Sequence, residues 1–402
     1  MNIQSEQRGG AAVVHWMLHH GRHMTRMREF GDEMCRRIVA AGIPISRGFC
    51  AVGTLHPQIE AAAYTWNRSA SGAMRRLAEH GLTEQPSYKA SPTAAVQATR
   101  RMLRRRLLDA DCPLDYPILP DLRAEGCTDY VAFPLCFSNG EVNSITWATD
   151  HVDGYSDDDV IGLGEVAEAL AVIVELQSCR RIAQTLMNTY VGKRSGARVL
   201  SGAITRGSGE DLSAVIWFCD LRGFTELADR LPRAELIALL NDYFEIMAKA
   251  VRNEGGEVLK FVGDGMLAIF EVRVAAEVGE RAGAALRAAR GAIAEVAAQN
   301  ALRKHDGRPE IRFGLALHLG EVTYGNIGAP DRLDFTVIGP AVNHANRLEK
   351  LAGALGRPLV ASASLAAAAP DAALVSLGRH SLRGLAEPQE VFAPLDQGAT
   401  AN

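Results

Sequence analysis

Leu259-Lys-Phe-Val-Gly-Asp264-Gly-Met-Leu-Ala-Ile-Phe270 reads as two strand-like runs meeting at a Gly-Asp-Gly turn, a hairpin with a carboxylate at its tip. Upstream, the apolar run Ala214-Val-Ile-Trp-Phe-Cys-Asp220 ends in a second aspartate and continues as Leu221-Arg-Gly-Phe-Thr225. Both carboxylates would project from strand ends at one edge of a sheet, where nothing in a core could neutralise them. Paired carboxylates beside a glycine-containing loop suit a divalent metal and phosphate. Mg²⁺ takes one or two carboxylates and fills its octahedron with phosphate oxygens and water. Two such metals can clamp the attacking and leaving oxygens of a phosphoryl transfer. The plainer alternative is a pair of turn aspartates, since Gly-Asp-Gly is also ordinary hairpin chemistry. A short motif alone does not choose between them.

Working outward, the chain of 402 residues suggests two or three domains. With 48% hydrophobic and 22% charged residues it can bury a full core in each. The formal net charge of −4 argues against a dedicated nucleic-acid binder. No apolar run approaches the roughly 20 residues that span a bilayer, and the start Met1-Asn-Ile-Gln-Ser-Glu lacks secretory-signal character. The seven cysteines are scattered, with no Cys-x-x-Cys pair, so neither a disulfide framework nor a zinc site is indicated. The expected home is a reducing cytoplasm, with neither nucleic acid nor membrane as partner.

A glycine-rich polar run from Gly192 to Asp211 is a linker signal that divides the chain into halves. The expected organisation is a regulatory domain over 1–178, a helical linker over 179–210 and a second domain over 211–395. In the first half, Tyr130–Phe137 and Val142–Trp147 flank an Asn-Gly turn and predict a hairpin. Ser156 with Asp159 can cap a following helix. Along that helix Val172, Leu176, Cys179, Ala183, Leu186 and Tyr190 recur at alternating steps of four and three. That period fits a coiled-coil seam with a second copy, and equally a helix packed on its own sheet. His15, His19 and His23 would align on one helix face, read as a solvated stripe because no further ligand lies nearby. Arg100, Arg101, Arg104, Arg105 and Arg106 among leucines read as the wet face of an amphipathic helix.

This helix–hairpin–helix ending resembles a GAF domain, over roughly residues 28–178. The resemblance implies an α/β sensor with a small-molecule ligand. Trp66, Phe133, Phe137 and Trp147 either line its pocket or are plain core.

Strand-like segments near 213–219, 257–262, 266–270, 311–319 and 333–338 alternate with helical ones near 233–252, 275–300 and 341–354. The pattern predicts an α/β sandwich, a sheet with helices over it. Three blocks in order carry a second resemblance: Phe218-Cys-Asp-Leu-Arg-Gly-Phe-Thr225, Gly256–Gly265 and Phe335-Thr-Val-Ile-Gly-Pro-Ala-Val-Asn-His-Ala-Asn-Arg347. They resemble the class III nucleotidyl cyclase domain, from about residue 211 to 395. The resemblance implies an α+β sandwich with a ferredoxin-like core, working as a homodimer whose two active sites straddle the interface.

Carried over residue by residue, it implies that Asp220, Asp264 and the carbonyl of Leu221 hold two Mg²⁺ or Mn²⁺ ions per site. Gly223, Phe224 and Thr225 would wrap the phosphates with backbone N–H groups, helped by the N-terminus of the next helix. Lys260 and Thr336 would read the purine, Asn343 would orient the ribose and Arg347 would stabilise charge on the phosphate. Arg383 falls where the family usually has a lysine on the terminal phosphates, and keeps the charge. Attack of a 3′-hydroxyl on the α-phosphorus of its own nucleotide needs no protein nucleophile, which suits this residue set.

Lys260 with Thr336 fits adenine, whose 6-amino group donates and whose N1 accepts, so the expected reaction is ATP to cyclic AMP and pyrophosphate. A rotating hydroxyl excludes GTP less firmly than a carboxylate would. The Lys–Thr pair also resembles the subgroup with bicarbonate-responsive members, which makes bicarbonate a candidate effector. A non-catalytic nucleotide-binding module would normally lack part of this set. A diguanylate cyclase would need a different hairpin from Val262-Gly-Asp-Gly-Met.

Overall fold

The computed structural model describes residues 9–54, 59–70 and 72–395, and the chain divides between Leu186 and Met187 into two compact units. In the first, α1 (Gly10–His19) and α2 (Met27–Ala40) precede β1 (Arg47–Gly53), β2 (Ile59–Asn67) and β3 (Met74–Glu79). Then come α3 (Pro86–Lys89), α4 (Pro92–Thr99), β4 (Leu103–Arg105) and α5 (Ile118–Ala124). The unit closes with β5 (Asp129–Cys136), β6 (Val142–Thr149) and the long α6 (Asp157–Tyr190). The strands form one antiparallel sheet in the order β3-β2-β1-β6-β5-β4. Helices and sheet together give the expected α/β build.

The β5–β6 hairpin turns at Asn139-Gly140, with Gly140 at φ 87° and Asn139 Oδ1 accepting from the Glu141 N–H. The capping box at the start of α6 is reciprocal: Ser156 N–H donates to Asp159, and Asp159 N–H to Ser156 Oγ. Trp66, Phe133, Phe137 and Trp147 are all buried in the core. The cavity between Val52, Tyr64, Val174 and Gln177 measures about 30 Å³, room for a water.

Two expectations fail here for physical reasons. The arginine cluster is not a helix. Helix α4 ends at Arg100, which takes a left-handed φ of 56°, and Leu103–Arg105 pair with β5 as an edge strand. Extended backbone sends Arg104 to Asp129, whose side chain is 0% exposed, while Arg105 pairs with Asp115. The histidine stripe also breaks. Helix α1 stops at His19, the rings of His15 and His19 lie 4.3 Å apart and tilted by 39°, and His23 lies in a separate 3₁₀ turn.

Helix α6 buries a face from Gly162 to Gln177 and nothing beyond. Its seam residues Val172, Leu176, Cys179, Ala183, Leu186 and Tyr190 are all exposed, Val172 by 62% and Tyr190 by 79%. The seam therefore does not pack on the helix's own sheet. Among the described residues no helix is long and apolar enough to cross a membrane.

The second unit opens with α7 (Lys193–Leu200), inside the run that composition marks as a polar linker. Ser195 is buried, 2.6 Å from the Tyr324 hydroxyl, and Arg194 and Arg198 pair with Glu271 and Glu210. The glycines there serve close packing as well as freedom, since a Cβ on Gly196 would lie 2.9 Å from the Met187 backbone. After α7 come β7 (Gly209–Leu221), α8 (Phe224–Arg230), α9 (Arg233–Asn253), β8 (Glu257–Val262) and β9 (Gly265–Val272). These are followed by α10 (Val278–His305), β10 (Phe313–Ala329), β11 (Arg332–Ile338) and α11 (Pro340–Ala354). The unit ends with β12 (Leu359–Ser362), α12 (Ala363–Ala368), β13 (Leu374–His380) and β14 (Gln389–Pro394).

The sheet runs β13-β14-β12-β10-β7-β9-β8, with β11 paired to β10. Strand β7 lies at its centre and alternates between two cores. Val215, Trp217 and Cys219 face the cluster with α9 and α10, whereas Leu212, Ala214 and Ile216 face the one with β11 and α11. Burial on both faces explains the nearly unbroken apolar run that ends at Asp220.

Arg104→Ala should destabilise the first unit by about 3 kcal/mol, because it strands the fully buried Asp129 carboxylate without its cation. Chemical denaturation followed by circular dichroism checks this. A loss below about 1 kcal/mol, the range of an exposed pair, would mean that Asp129 is satisfied without Arg104.

Candidate active site

Asp220 ends β7 opposite Gly314 of β10, and Asp264 occupies the β8–β9 turn, where Val262 pairs with Gly265. The two glycines of that turn have different jobs. Gly263 takes φ 64° at the first turn position, as this hairpin type requires. A Cβ on Gly265, in contrast, would sit 3.0 Å from Asp220 Oδ1. Gly265 thus lets the two carboxyl groups approach each other, which a simple pair of turn aspartates would not need.

Burial first, and then the charge of Asp264, push the Asp220 carboxyl up to about 6. Among the described residues neither aspartate forms an ion pair with Lys or Arg. Nor do any three His, Cys, Asp or Glu side chains gather into a metal cage there. Two repelling carboxylates without a cation fit a divalent ion that completes its shell with substrate and water oxygens. The backbone carbonyl of Leu221 is the adjoining donor.

The other residues singled out from the sequence lie on β8, β11, α11 and the loop before β14. Lys260 Nζ donates to Asp334 Oδ2 at 2.7 Å, which ties β8 to β11. Two residues along the same face of β11, Thr336 is 4% exposed and its hydroxyl has no partner. Asn343 is exposed and Arg347 half-buried, both without an ion pair, so Arg347 pairs with neither Glu349 nor Glu321. A Cβ on Gly384 would lie 3.2 Å from Arg347 Nη2, which places the Ser381–Gly384 loop, and with it the exposed and unpaired Arg383, beside α11. Gly223 caps α8 at φ 70°, with Phe224 and Thr225 as its first residues.

Sequence reasoning missed three features. Asp334 was readable from its spacing to Thr336. The stacked rings of His318 and His344, 4.2 Å apart, and the contact between Arg222 and Glu349 had no local signal. Burial and His344 lower His318 to about 4, while burial and Arg347 lower His344.

Residues 210–392 match the family described as the adenylate and guanylate cyclase catalytic domain. These residues belong to that family. The cyclase domain covers the β7–β14 sheet and every site residue carried over from the sequence. An uncharacterised protein of Mycobacterium tuberculosis is 34% identical over 235 residues, covering 58% of this chain and 40% of the relative. The chain thus spans less than half the length of such relatives. Among solved structures, a bacterial light-regulated adenylyl cyclase is 32% identical over 46% of this chain and 91% of its own, with a TM-score of 0.41. The guanylyl cyclase Cya2 is 24% identical over 47% and 96%, with a TM-score of 0.40.

The raised Asp220 carboxyl has a measurable sign. Ionising a group whose folded pKa lies above its ordinary 3.8 costs stability, a cost that grows with pH and is complete above about 6. Metal-free Asp220→Asn should therefore melt above the wild type at neutral pH, with the gap closing in acid. Mn²⁺ should raise the Tm of the wild type and not of the variant. Thermal scans with and without Mn²⁺ decide it, and a variant that keeps the Mn²⁺ gain would remove Asp220 from the metal site.

Proposed function

We propose that two copies of this chain form an adenylyl cyclase, converting ATP into 3′,5′-cyclic AMP and pyrophosphate at sites shared across the dimer. One observation carries the reading: each subunit presents carboxylates without cations at Asp220 and Asp264, and cations without carboxylates at Arg347 and Arg383. Two copies can supply both halves of a site that binds a metal-complexed polyphosphate. The acids and the Leu221 carbonyl come from one chain; Lys260, Thr336, Asn343 and Arg347 come from the other.

In the reaction the ribose 3′-oxygen bonds to the α-phosphorus, the bond from that phosphorus to the bridging oxygen breaks, and the hydroxyl proton passes to solvent. Two Mg²⁺ or Mn²⁺ ions held by Asp220 and Asp264 would acidify the hydroxyl and neutralise the leaving pyrophosphate. Asn343 holds the ribose so that the hydroxyl lies in line. Arg347 stabilises the charge that develops on the α-phosphate, and Arg383 that of the terminal phosphates. Gly223, Phe224 and Thr225 offer backbone N–H groups to the phosphates. Lys260 donates to adenine N1 and the Thr336 hydroxyl accepts from the 6-amino group.

Residues 9–186, with their GAF-like build, act as the regulatory input, possible ligand included, and the exposed α6 seam pairs with its copy. Bicarbonate acts on the cyclase domain. These readings rest on resemblance and on the seam's exposure.

Asp220→Ala and Arg347→Ala chains should each be nearly inactive, since one preorganised transition-state contact is typically worth about 3–4 kcal/mol. Mixed under conditions where subunits exchange, they should regain activity, because the heterodimer holds one site with every group. Restoration of nothing would end the shared-site reading.

Purified protein should prefer ATP over GTP in kcat/KM, and Lys260→Glu should cut ATP use more than GTP use. Equal use of the two nucleotides by the wild type would overturn the adenylyl assignment. In the same assay a chain beginning at Met187, which keeps α7 on the sheet, should keep any bicarbonate response and change its basal rate. A response lost with residues 1–186 would place the bicarbonate site there.

A further inference from the structure

The loop between the metal-side Asp220 and the phosphate-side Gly223 contains Arg222, whose side chain turns away from both. Its guanidinium lies in a slot between Gly314 of β10 and Gly353 of α11. A Cβ on Gly314 would overlap the guanidinium, and one on Gly353 would come within 2.6 Å of Nη1. No other residue type fits either position while Arg222 stays where it is. At the end of the slot, Nη2 donates to the Glu349 carbonyl at 3.0 Å and lies 2.8 Å from Glu349 Oε1. That carboxylate makes no directed hydrogen bond, so the contact to it is an ion pair. Glu349 is 1% exposed and has no second salt-bridge partner. On the loop side, the Arg222 N–H donates to the Arg312 carbonyl at 2.7 Å, which fixes the base of the side chain to the residue just before β10.

Beside the apolar packing of α11 on the sheet, one side chain thus ties the helix to the metal end of β7. The same helix carries Arg347 two residues and Asn343 six residues before Glu349, about half a turn and about one and two-thirds turns. Arg347 and Glu349 are two residues apart and so point to nearly opposite sides of the helix. One faces the site and the other faces the sheet. A rigid helix that loses its fastening on one side moves on the other.

We propose that Arg222 is a positioning residue that locks each subunit's metal half-site to its own Asn343–Arg347 half. This rests on the shared-site reading above, in which those two halves serve opposite active sites. The Arg222–Glu349 contact then makes the two sites of a dimer mechanically dependent on each other. A shift in the metal loop of one site is carried through α11 into the other.

The mixed pair tests this with full-length chains. In it the single complete site takes its metal half from the Arg347→Ala chain and its Asn343–Arg347 half from the Asp220→Ala chain. Arg222→Ala is added to one chain at a time. Added to the Asp220→Ala chain, it touches no metal loop that takes part in catalysis. The proposal still expects kcat there to fall by about threefold to tenfold, with the Mn²⁺ half-saturation unchanged. Added to the Arg347→Ala chain, it should lower kcat and raise the Mn²⁺ half-saturation together. A general folding defect would move the two arms alike. If Arg222→Ala fails to give soluble dimer, Glu349→Gln, which keeps the shape and removes the ion pair, carries the same two arms. An unchanged kcat in the first arm overturns the proposal. A silent parent pair overturns the shared-site reading itself, and the proposal with it.

Discussion

The close approach of Asp220 and Asp264 is the constraint on which the rest of the cyclase domain depends. It is unfavourable in itself, since burial and mutual repulsion hold Asp220 near 6. It persists because both residues sit on backbone that the core fixes. Asp220 lies at the end of a strand buried on both faces, and Asp264 is the tip of a hairpin whose second strand, β9, pairs with it. Only Gly265 leaves the space between them, so one methyl group there would push the pair apart. The pairing of the two carboxyl groups is thus set by the backbone that carries them.

The remaining charges follow from the same logic. A single chain that kept both the acids and Arg347 within reach would neutralise them internally and lose the driving force to bind substrate. Instead the acids lack cations, and Arg347 and Arg383 lack acids. Lys260 differs, because Asp334 holds it at 2.7 Å and sets the direction of its ammonium beside the orphaned Thr336 hydroxyl.

What was legible in the sequence was what local rules govern. Short apolar runs ended by Asp220 or by the Gly-Asp-Gly turn marked β7, β8 and β9, and helical spacing marked α9 and α11. The acids, Lys260, Asn343 and Arg347 lay inside motif blocks. The tail from β12 to β14 was not legible, because Ala361-Ser-Ala-Ser-Leu-Ala-Ala-Ala-Ala carries too little contrast for either period. The arginines from 100 to 106 misled because paired and tripled arginines between Met102, Leu103 and Leu107 fit no single period, and the buried Asp129 decided for the strand. Helix α7 was hidden by its glycines. Arg222 and Glu349 are 127 residues apart, and their slot is made of two absent side chains, which no local pattern announces.

Helix α11 shows how the domain keeps a single charge free for chemistry. His344 follows Asn343 and sits three residues before Arg347, where a second positive charge would repel it. Burial and the field of Arg347 lower His344 and so disfavour its charged form, and the stacked His318 is lowered to about 4. On the opposite side Glu349, raised to about 7 chiefly by burial, is offset by Arg222 and cannot reach Arg347. Lys350 is exposed to solvent. The charge on this helix left uncompensated beside Asn343 is therefore that of Arg347. The field of that arginine depends on its neighbours staying neutral or paired.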